Sequence, residues 1–545
     1  MVKRDKITKI SLVLILAFVG VTALLGSMGM LAAVYAASFK TRYVSVTTGD
    51  DKFPLNNDCS DKDYPCSTIQ RAVNKADSGD AILVATGIYT DLHSYSVPSG
   101  YLTPPASGII TQIVYITKTI TIRGGYAANF KNALPDPKKY PTTLAVGKVK
   151  GRVMVIAGYV SPTIYNLRLT GGDAAGLQGG WGSYDAGGGV YVISATAAFY
   201  DNQIFENIAQ DGGGVYLYRS NATLERNRVS TNTADYLGGG LTLRSSDATL
   251  SDNTVISNTA AYGGGGLYLN YSDATLSGNI IMSNTTAAYG GGLRLEWQSE
   301  ATLNNNAIVS NIADSGGGLI LNYSAPILNN NTIIANTADD GGGLYIENDS
   351  RPMLNRNIIM SNTAYYGGAL YVKMSDATLT NTVIANNAAS LAGSGLYLTW
   401  RSSARLWHTT LTRNQGGNGS GVYVTNNGTN YSQVALTNTI LVSHTVGITV
   451  TAGNTATLES TLWYGNDRDW GGAGAIFTGT NNYWGDPCFE LDGYHLLTDS
   501  LAVDKGINAG VTSDIDGHAR NSLPDLGADE VAGGGVYLPI VMKNS

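Results

Sequence analysis

Charge is scarce in this sequence: Asp, Glu, Lys and Arg make up 14% of its 545 residues, against roughly a quarter in an ordinary globular chain. The formal net charge is −7 and no basic stripe occurs, which argues against a nucleic-acid partner. Only three cysteines are present, with neither a CxxC nor a Cys/His cluster, so no metal site of that kind is expected. Cys59 and Cys66 lie in a polar loop and can pair locally, leaving Cys488 over. Apolar residues at helical spacing are missing, and Gly, Asn, Thr and Ser, all poor helix formers, are abundant. Phe is rare, at 8 against 33 Tyr. The five histidines (His93, His408, His444, His495 and His518) are scattered and read as surface residues.

Long apolar runs are confined to one place. Lys3, Arg4, Lys6 and Lys9 precede an uncharged apolar stretch over 10–34, which ends in Val34-Tyr35-Ala36. Residues 1–37 therefore read as a secretory signal, cleaved after Ala36 or Ala37. The stretch is also long enough to span a bilayer uncleaved, as a signal anchor. The chain is expected to be secreted or displayed at the cell surface, meeting membrane only through this segment before cleavage. Export makes disulfides permissible.

The dominant positive feature is a repeat. Gly187-Gly188-Gly189 recurs in steps of 25 or 26 residues, beginning again at Gly212, Gly238, Gly264, Gly290, Gly316 and Gly341, and loosens at Gly367, Gly393 and Gly419. A fixed period of this size means a stacked solenoid. One unit holds three short alternating segments: Gly240-Leu241-Thr242-Leu243, then Ser246 to Leu250, then Asn253 to Ala260. The expected fold is all-β, a right-handed parallel β-helix with three strands per coil and about 26 residues per coil. Its hand follows the general preference of parallel crossovers.

Columns stay in register along the repeats. The second strand contributes Leu224, Leu250, Leu276, Leu303, Leu328, Leu354, Leu379 and Leu406, with a Ser four residues before each. Eight residues after each Leu comes an Asn, and with Asn207, eight after Phe199, they give the ladder Asn207, Asn232, Asn258, Asn284, Asn311, Asn336, Asn362, Asn387 and Asn414. Stacked amides can hydrogen-bond along such a column, and Asn tolerates the left-handed geometry that bends a strand. The ladder is read as structural. Some fourteen coils at ~4.8 Å each would make a rod ~65 Å long, whose ends need capping.

The expected organisation follows. Residues 38–109 form an N-terminal cap with entry strands, 110–480 the helix with its regular coils at 187–450, and 481–531 a closing segment. Residues 532–545 form a Gly-hinged apolar tail that could serve sorting or attachment.

Several segments carry a family resemblance. Tyr43-Val44-Ser45, Pro65 to Ala72, Gly79 to Val84 and Gly87-Ile88-Tyr89 are similar to the opening of secreted bacterial β-helix proteins of the pectin-lyase-like superfamily. Asp514 to Gly517, Arg520 and Asp525 to Glu530 resemble the segment that closes many of them. The coils also resemble the repeats of polymorphic outer-membrane proteins, although no room remains for those proteins' C-terminal barrel. The resemblance implies this fold, and a fold hosts many functions.

Lyases of that superfamily imply acids clustered on adjacent coils within longer loops, whereas the loops here barely vary, and its hydrolases imply motifs such as Gly-His-Gly, which do not occur here. Only Asp339-Asp340 offers paired carboxylates within the repeats, at a turn that reads as solvated. The chain is therefore expected not to be an enzyme. A binding, adhesive or structural role toward a polysaccharide or another cell surface is the main expectation, and a divergent polysaccharide lyase or glycoside hydrolase the alternative.

Two candidate binding features stand out. The outward position of the first strand reads Tyr191, Tyr216, Thr242, Tyr268, Arg294, Ile320, Tyr345, Tyr371, Tyr397 and Tyr423, an exposed aromatic stripe in expectation. The other is the long loop over 171–186, holding Asp173, Trp181 and Asp185. Asp514-Ile515-Asp516-Gly517 starts like a calcium loop but lacks the third acid and the distant Glu. No cofactor is expected, with Asp514 and Asp516 the ligands should calcium bind.

Overall fold

A computed structural model describes residues 39–132 and 134–531. The expected signal segment and the apolar tail lie outside the described residues. The chain forms the expected right-handed parallel β-helix. A typical coil runs Leu241–Arg244, Thr249–Ser251 and Thr254–Ile256, followed by a short fourth strand, Thr259–Ala260. Each strand pairs in parallel with its equivalent one coil on, as Leu241 with Leu267, Leu250 with Leu276 and Val255 with Ile281. The first strands build a fifteen-stranded sheet whose only antiparallel member is His93–Ser96. Short fourth strands join into ladders of four and of two, which the repeat pattern had not disclosed.

The inward columns are fully buried and form one continuous apolar core. The glycine triplet has two separate causes. Gly264 sits at φ +63°, where a side chain is strained, while a Cβ on Gly265 or Gly266 would stand 2.6 Å from the Gly291 or Gly292 carbonyl oxygen.

Polar ladders run beside the apolar columns. Asn258 donates from its backbone N and its Nδ2 to Asn284 Oδ1, both at 3.0 Å, and from Nδ2 to the Val229 carbonyl at 3.0 Å. A second Asn ladder, among them Asn227, Asn253, Asn279 and Asn306, repeats this pattern at the preceding corner, and the serines bond coil to coil at the corner before that. The left-handed residue is not the ladder Asn, as expected, but the one before it: Ser257, Ser283 and Ser310 lie at φ 53–55°. That residue turns the chain so that the Asn side chain points inward and its amide reaches three carbonyl or amide partners.

At the N-terminal end the helix Ile69–Lys75, capped by Thr68, lays Ile69, Ala72 and Val73 over the first coils. Arg42 pairs with Asp80 at 2.7 Å, both buried. Cys59 and Cys66 are bonded, with Cα atoms 5.1 Å apart. Because this bridge closes so short a loop, Cys59→Ser/Cys66→Ser is expected to cost about 2 kcal/mol locally, seen as faster amide exchange over 41–75 and unchanged exchange in the coils.

The closing segment does not sit on the open end of the rod. It runs back along the side: Asn381 Nδ2 donates to the Ser513 carbonyl (2.6 Å), Ile507 N to Asn438 Oδ1 (2.9 Å) and Ala528 N to Thr410 Oγ1 (3.0 Å). Ile515 and Ala528 pack on Val383 and Ala385. His408 and His444, expected at the surface, are buried. His444 occupies an Asn-ladder slot, 3.2 Å from Asn414 Nδ2, and burial drops its pKa to about 4.

Candidate functional site

The outer face of the fifteen-stranded sheet carries the aromatic column. Its rings stack coil on coil, Tyr191 on Tyr216 at 5.5 Å, Tyr345 on Tyr371 and Tyr371 on Tyr397 at 4.9 Å, and Tyr397 on Tyr423 at 5.5 Å. The expectation of an exposed stripe is corrected. Tyr191, Tyr216, Tyr268, Arg294 and Tyr345 are buried, and Tyr371, Tyr397 and Tyr423 are half-buried. Stacking hides the ring faces, and side chains from the flanking turns stand higher than the column.

Those flanking side chains make a groove. On one side Tyr184, Tyr236 and Tyr262 form a second stack, 4.8 and 4.9 Å apart. On the other, Trp297 stacks on Tyr323 at 4.8 Å. Arg244, Tyr268, Asn270, Arg294 and Glu296 supply the floor, and the space they enclose measures about 790 Å³.

The 171–186 loop closes one end. Its Trp181 is exposed and lies 5.8 Å from the Arg244 guanidinium. The other two loop candidates shape the loop itself: Asp173 Oδ1 accepts from Ala175 N (2.9 Å) and Asp185 Oδ1 from Gln178 N (2.6 Å). Tyr101 braces the loop from the N-terminal region, its hydroxyl donating to the Leu177 carbonyl at 2.6 Å. The two sequence leads, stripe and loop, thus converge on one groove.

The chemistry of the floor centres on Glu296. Its carboxylate accepts from the Tyr268 hydroxyl (2.8 Å), Arg294 Nη2 (2.9 Å) and Asn322 Nδ2 (3.1 Å). Burial and the neighbouring Glu296 raise the Tyr268 phenol well above its ordinary range. Arg294 is ringed by Tyr262, Tyr268 and Tyr289, with centroids 5.2, 5.6 and 5.2 Å from its guanidinium carbon. Its Nε and Nη1, and the Nε of Arg244, are buried without a hydrogen-bond partner. Behind Arg244 lies Asp211, fully buried, neither oxygen accepting a hydrogen bond. Burial pushes its carboxyl up to about 7, against the pull of Arg244.

Farther along the same face, burial raises Asp340 to about 6, with Asp339 adding to the effect. The solvated-turn reading of Asp339-Asp340 therefore fails for Asp340. Asp211 and Asp340 share one slot, immediately before the glycine triplet, and Arg244, Glu296 and Glu347 share the last position of the first strand. Neither slot stands out as a column in the repeat, because its residues vary from coil to coil. The signal was there: charge recurring at fixed phase in a chain otherwise poor in it.

Of the calcium candidates, Asp514 Oδ1 is taken by two backbone donors, Asp516 N at 3.0 Å and His518 N at 2.7 Å, while Asp516 meets His495 Nε2 at 2.7 Å.

A family model described as "right handed beta helix region" matches residues 163–338 and 292–463, together more than half of the chain. No curated protein matches it. Among solved structures, the chain is similar to the catalytic unit of an α-1,3-glucanase from Streptomyces thermodiastaticus, at 12% identity and TM-score 0.39, over 83% of this chain and 70% of that one. It is similar also to a pectate lyase, at 12% identity and TM-score 0.23, over 90% of this chain and 97% of that one. A third is a DFA-IIIase from Arthrobacter chlorophenolicus, at 12% identity and TM-score 0.28, over 89% of this chain and 99% of that one. These likenesses concern the fold. The expectation that the chain is no enzyme is corrected: it rested on missing motifs, and on a fold that hosts many functions their absence excludes nothing.

Proposed function

The chain belongs to the right-handed β-helix family, and from that premise we propose that the groove binds and cleaves an acidic polysaccharide. The observation that carries this reading is the pair of arginines, buried Arg294 and half-buried Arg244, whose Nε atoms, with Nη1 of Arg294, are buried without partners at the floor of an aromatic-walled groove beside Glu296, while Arg244 Nη1 donates to Asn270. Buried donors without acceptors are costly, and a carboxylate-bearing sugar supplies acceptors of matching charge and geometry. The tyrosine and tryptophan walls offer apolar faces and hydroxyls suited to sugar rings. Export, expected from residues 1–37, would deliver the protein to such polymers.

Elimination fits the groups better than hydrolysis. Asp211 lies three coils from Glu296, ~14 Å along the rod at one strand spacing per coil, beyond the separation at which two carboxylates share one glycosidic bond. In the elimination, an arginine neutralises the sugar carboxylate, which acidifies the adjacent carbon. Glu296, held by Tyr268 and Arg294, takes that proton; the freed electron pair forms the carbon–carbon double bond as the glycosidic C–O bond breaks, and the departing oxygen takes a proton from water.

Incubation with pectate, alginate and chondroitin is expected to release products with the ultraviolet absorbance of an unsaturated uronate. Glu296→Gln should lower kcat by about a hundredfold or more, and Arg294→Met should lower kcat/KM by a similar factor. Wild-type rates from Glu296→Gln would sink the assignment. Reducing ends without the absorbance would move the chemistry to hydrolysis.

A further inference from the structure

The closing segment carries a second cluster of chemistry, remote from the groove in sequence and built from three chain segments. One is a hairpin bridged at Phe489 and Leu496, another a hairpin bridged at Ser513 and Ala519, and the third is the 525–530 stretch. His495 stands where they meet. Asp492 holds its Nδ1, and its Nε2 faces Asp516 Oδ2 at 2.7 Å. Asp529, almost fully buried, completes the set, its Oδ2 accepting from Leu496 N at 2.7 Å. One ligating atom from each of His495, Asp516 and Asp529 lies within 4.8 Å of the others, and Asp516 also belongs to a second such set with Asp514 and His518.

Charge in this region is lopsided. Asp492, Asp514, Asp516, Asp525, Asp529 and Glu530 gather within the three segments, beside the cation Arg520. It is spent on Glu530 (3.0 Å), Asn381 (2.9 Å) and the carbonyls of Gly527 and Ala528 (2.9 Å each).

We propose that His495, Asp516 and Asp529 bind a divalent transition cation, zinc or manganese, which pins the closing segment together. One imidazole with two carboxylates is a donor set for these ions, whereas calcium prefers oxygen throughout. A carboxylate on the far nitrogen of the imidazole, here Asp492, is the usual partner of a metal-binding histidine, because it fixes the ring and raises its basicity. The site replaces Asp514 by Asp529 relative to the pair expected from sequence: Asp514 spends its carboxylate on backbone donors, and Asp529 approaches only through the fold.

The full chain, stripped with a chelator, is titrated near neutral pH with Zn²⁺ by calorimetry and with Co²⁺ by visible absorption. Wild type is expected to take up one equivalent and to melt several degrees higher with Zn²⁺. His495→Gln and Asp516→Asn should bind at least about tenfold more weakly and lose the rise in melting temperature. These two side chains are 23% and 37% exposed, so the variants can fold even where Asp529→Asn does not, and circular dichroism of the coils checks that they have. Absence of saturable uptake by wild type, or wild-type affinity in both variants, would overturn the proposal.

Discussion

Asp211→Asn is expected to stabilise the protein at pH 8 and leave its stability at pH 4 unchanged. The buried carboxyl is raised to about 7 in the folded chain, against about 3.9 when unfolded. A raised acid contributes its full stability below the unfolded value. As pH climbs from about 4 to about 7 the unfolded state sheds the proton and the folded state keeps it, so stability falls, then levels off. Three units correspond to roughly 4 kcal/mol at most, and Asn, which does not ionise, is free of this loss. Melting curves of both proteins from pH 4 to pH 8 check it; parallel curves would show that Asp211 is solvated or paired. The same variant should lose activity. A group kept at such a cost next to Arg244 is expected to serve the groove, by holding that guanidinium in place.

The largest loss of stability is expected from Asn284→Ala. Asn284 Oδ1 accepts from Asn258 N and Asn258 Nδ2 at 3.0 Å each, and its Nδ2 donates to the Val255 carbonyl at 3.0 Å and to Asn311 Oδ1 at 3.1 Å. Truncation strands the buried Asn258 N–H outright, at about 1–3 kcal/mol, and removes three further hydrogen bonds from groups that keep another partner, at about 0.5–1.5 kcal/mol each. A total of about 4 kcal/mol follows. Asn207→Ala, at the ladder's first rung, should cost less, since its Oδ1 serves only Gly172 N. Chemical denaturation of the two variants, with amide exchange over 230–315, measures the difference. Equal and small losses would mean that water replaces the amides.

Much of this was legible in the sequence because parallel stacking in register makes equivalent positions meet their own kind. Leu250 lies on Leu276 and Asn258 on Asn284, so selection at one coil is repeated at the next and the period appears in the letters. The groove was not legible for the opposite reason. Arg244, Asn270, Glu296 and Asn322 succeed one another in a single slot, and a site is made where the repeat departs from itself. Exposure of the tyrosine column depends on how high the neighbouring turns rise, which no spacing encodes. The left-handed corner falls one residue before the Asn because the amide must face the core, a packing requirement rather than a propensity. The side-docking of the closing segment rests on contacts such as Asn381 with Ser513, 132 residues apart, beyond the reach of any local pattern.

The closing segment's path along the flank has a mechanical consequence. A stack of coils held only by neighbours unzips from its ends, one rung per step, under a small steady force. Here a strap ties the rungs at Asn381, Thr410 and Asn438 to residues 507–528, so a pull on the C-terminal end loads several attachments at once, in shear. Stretched between its ends, the rod should hold to a higher force and then yield in one abrupt step over these coils, with gradual peeling confined to the N-terminal half.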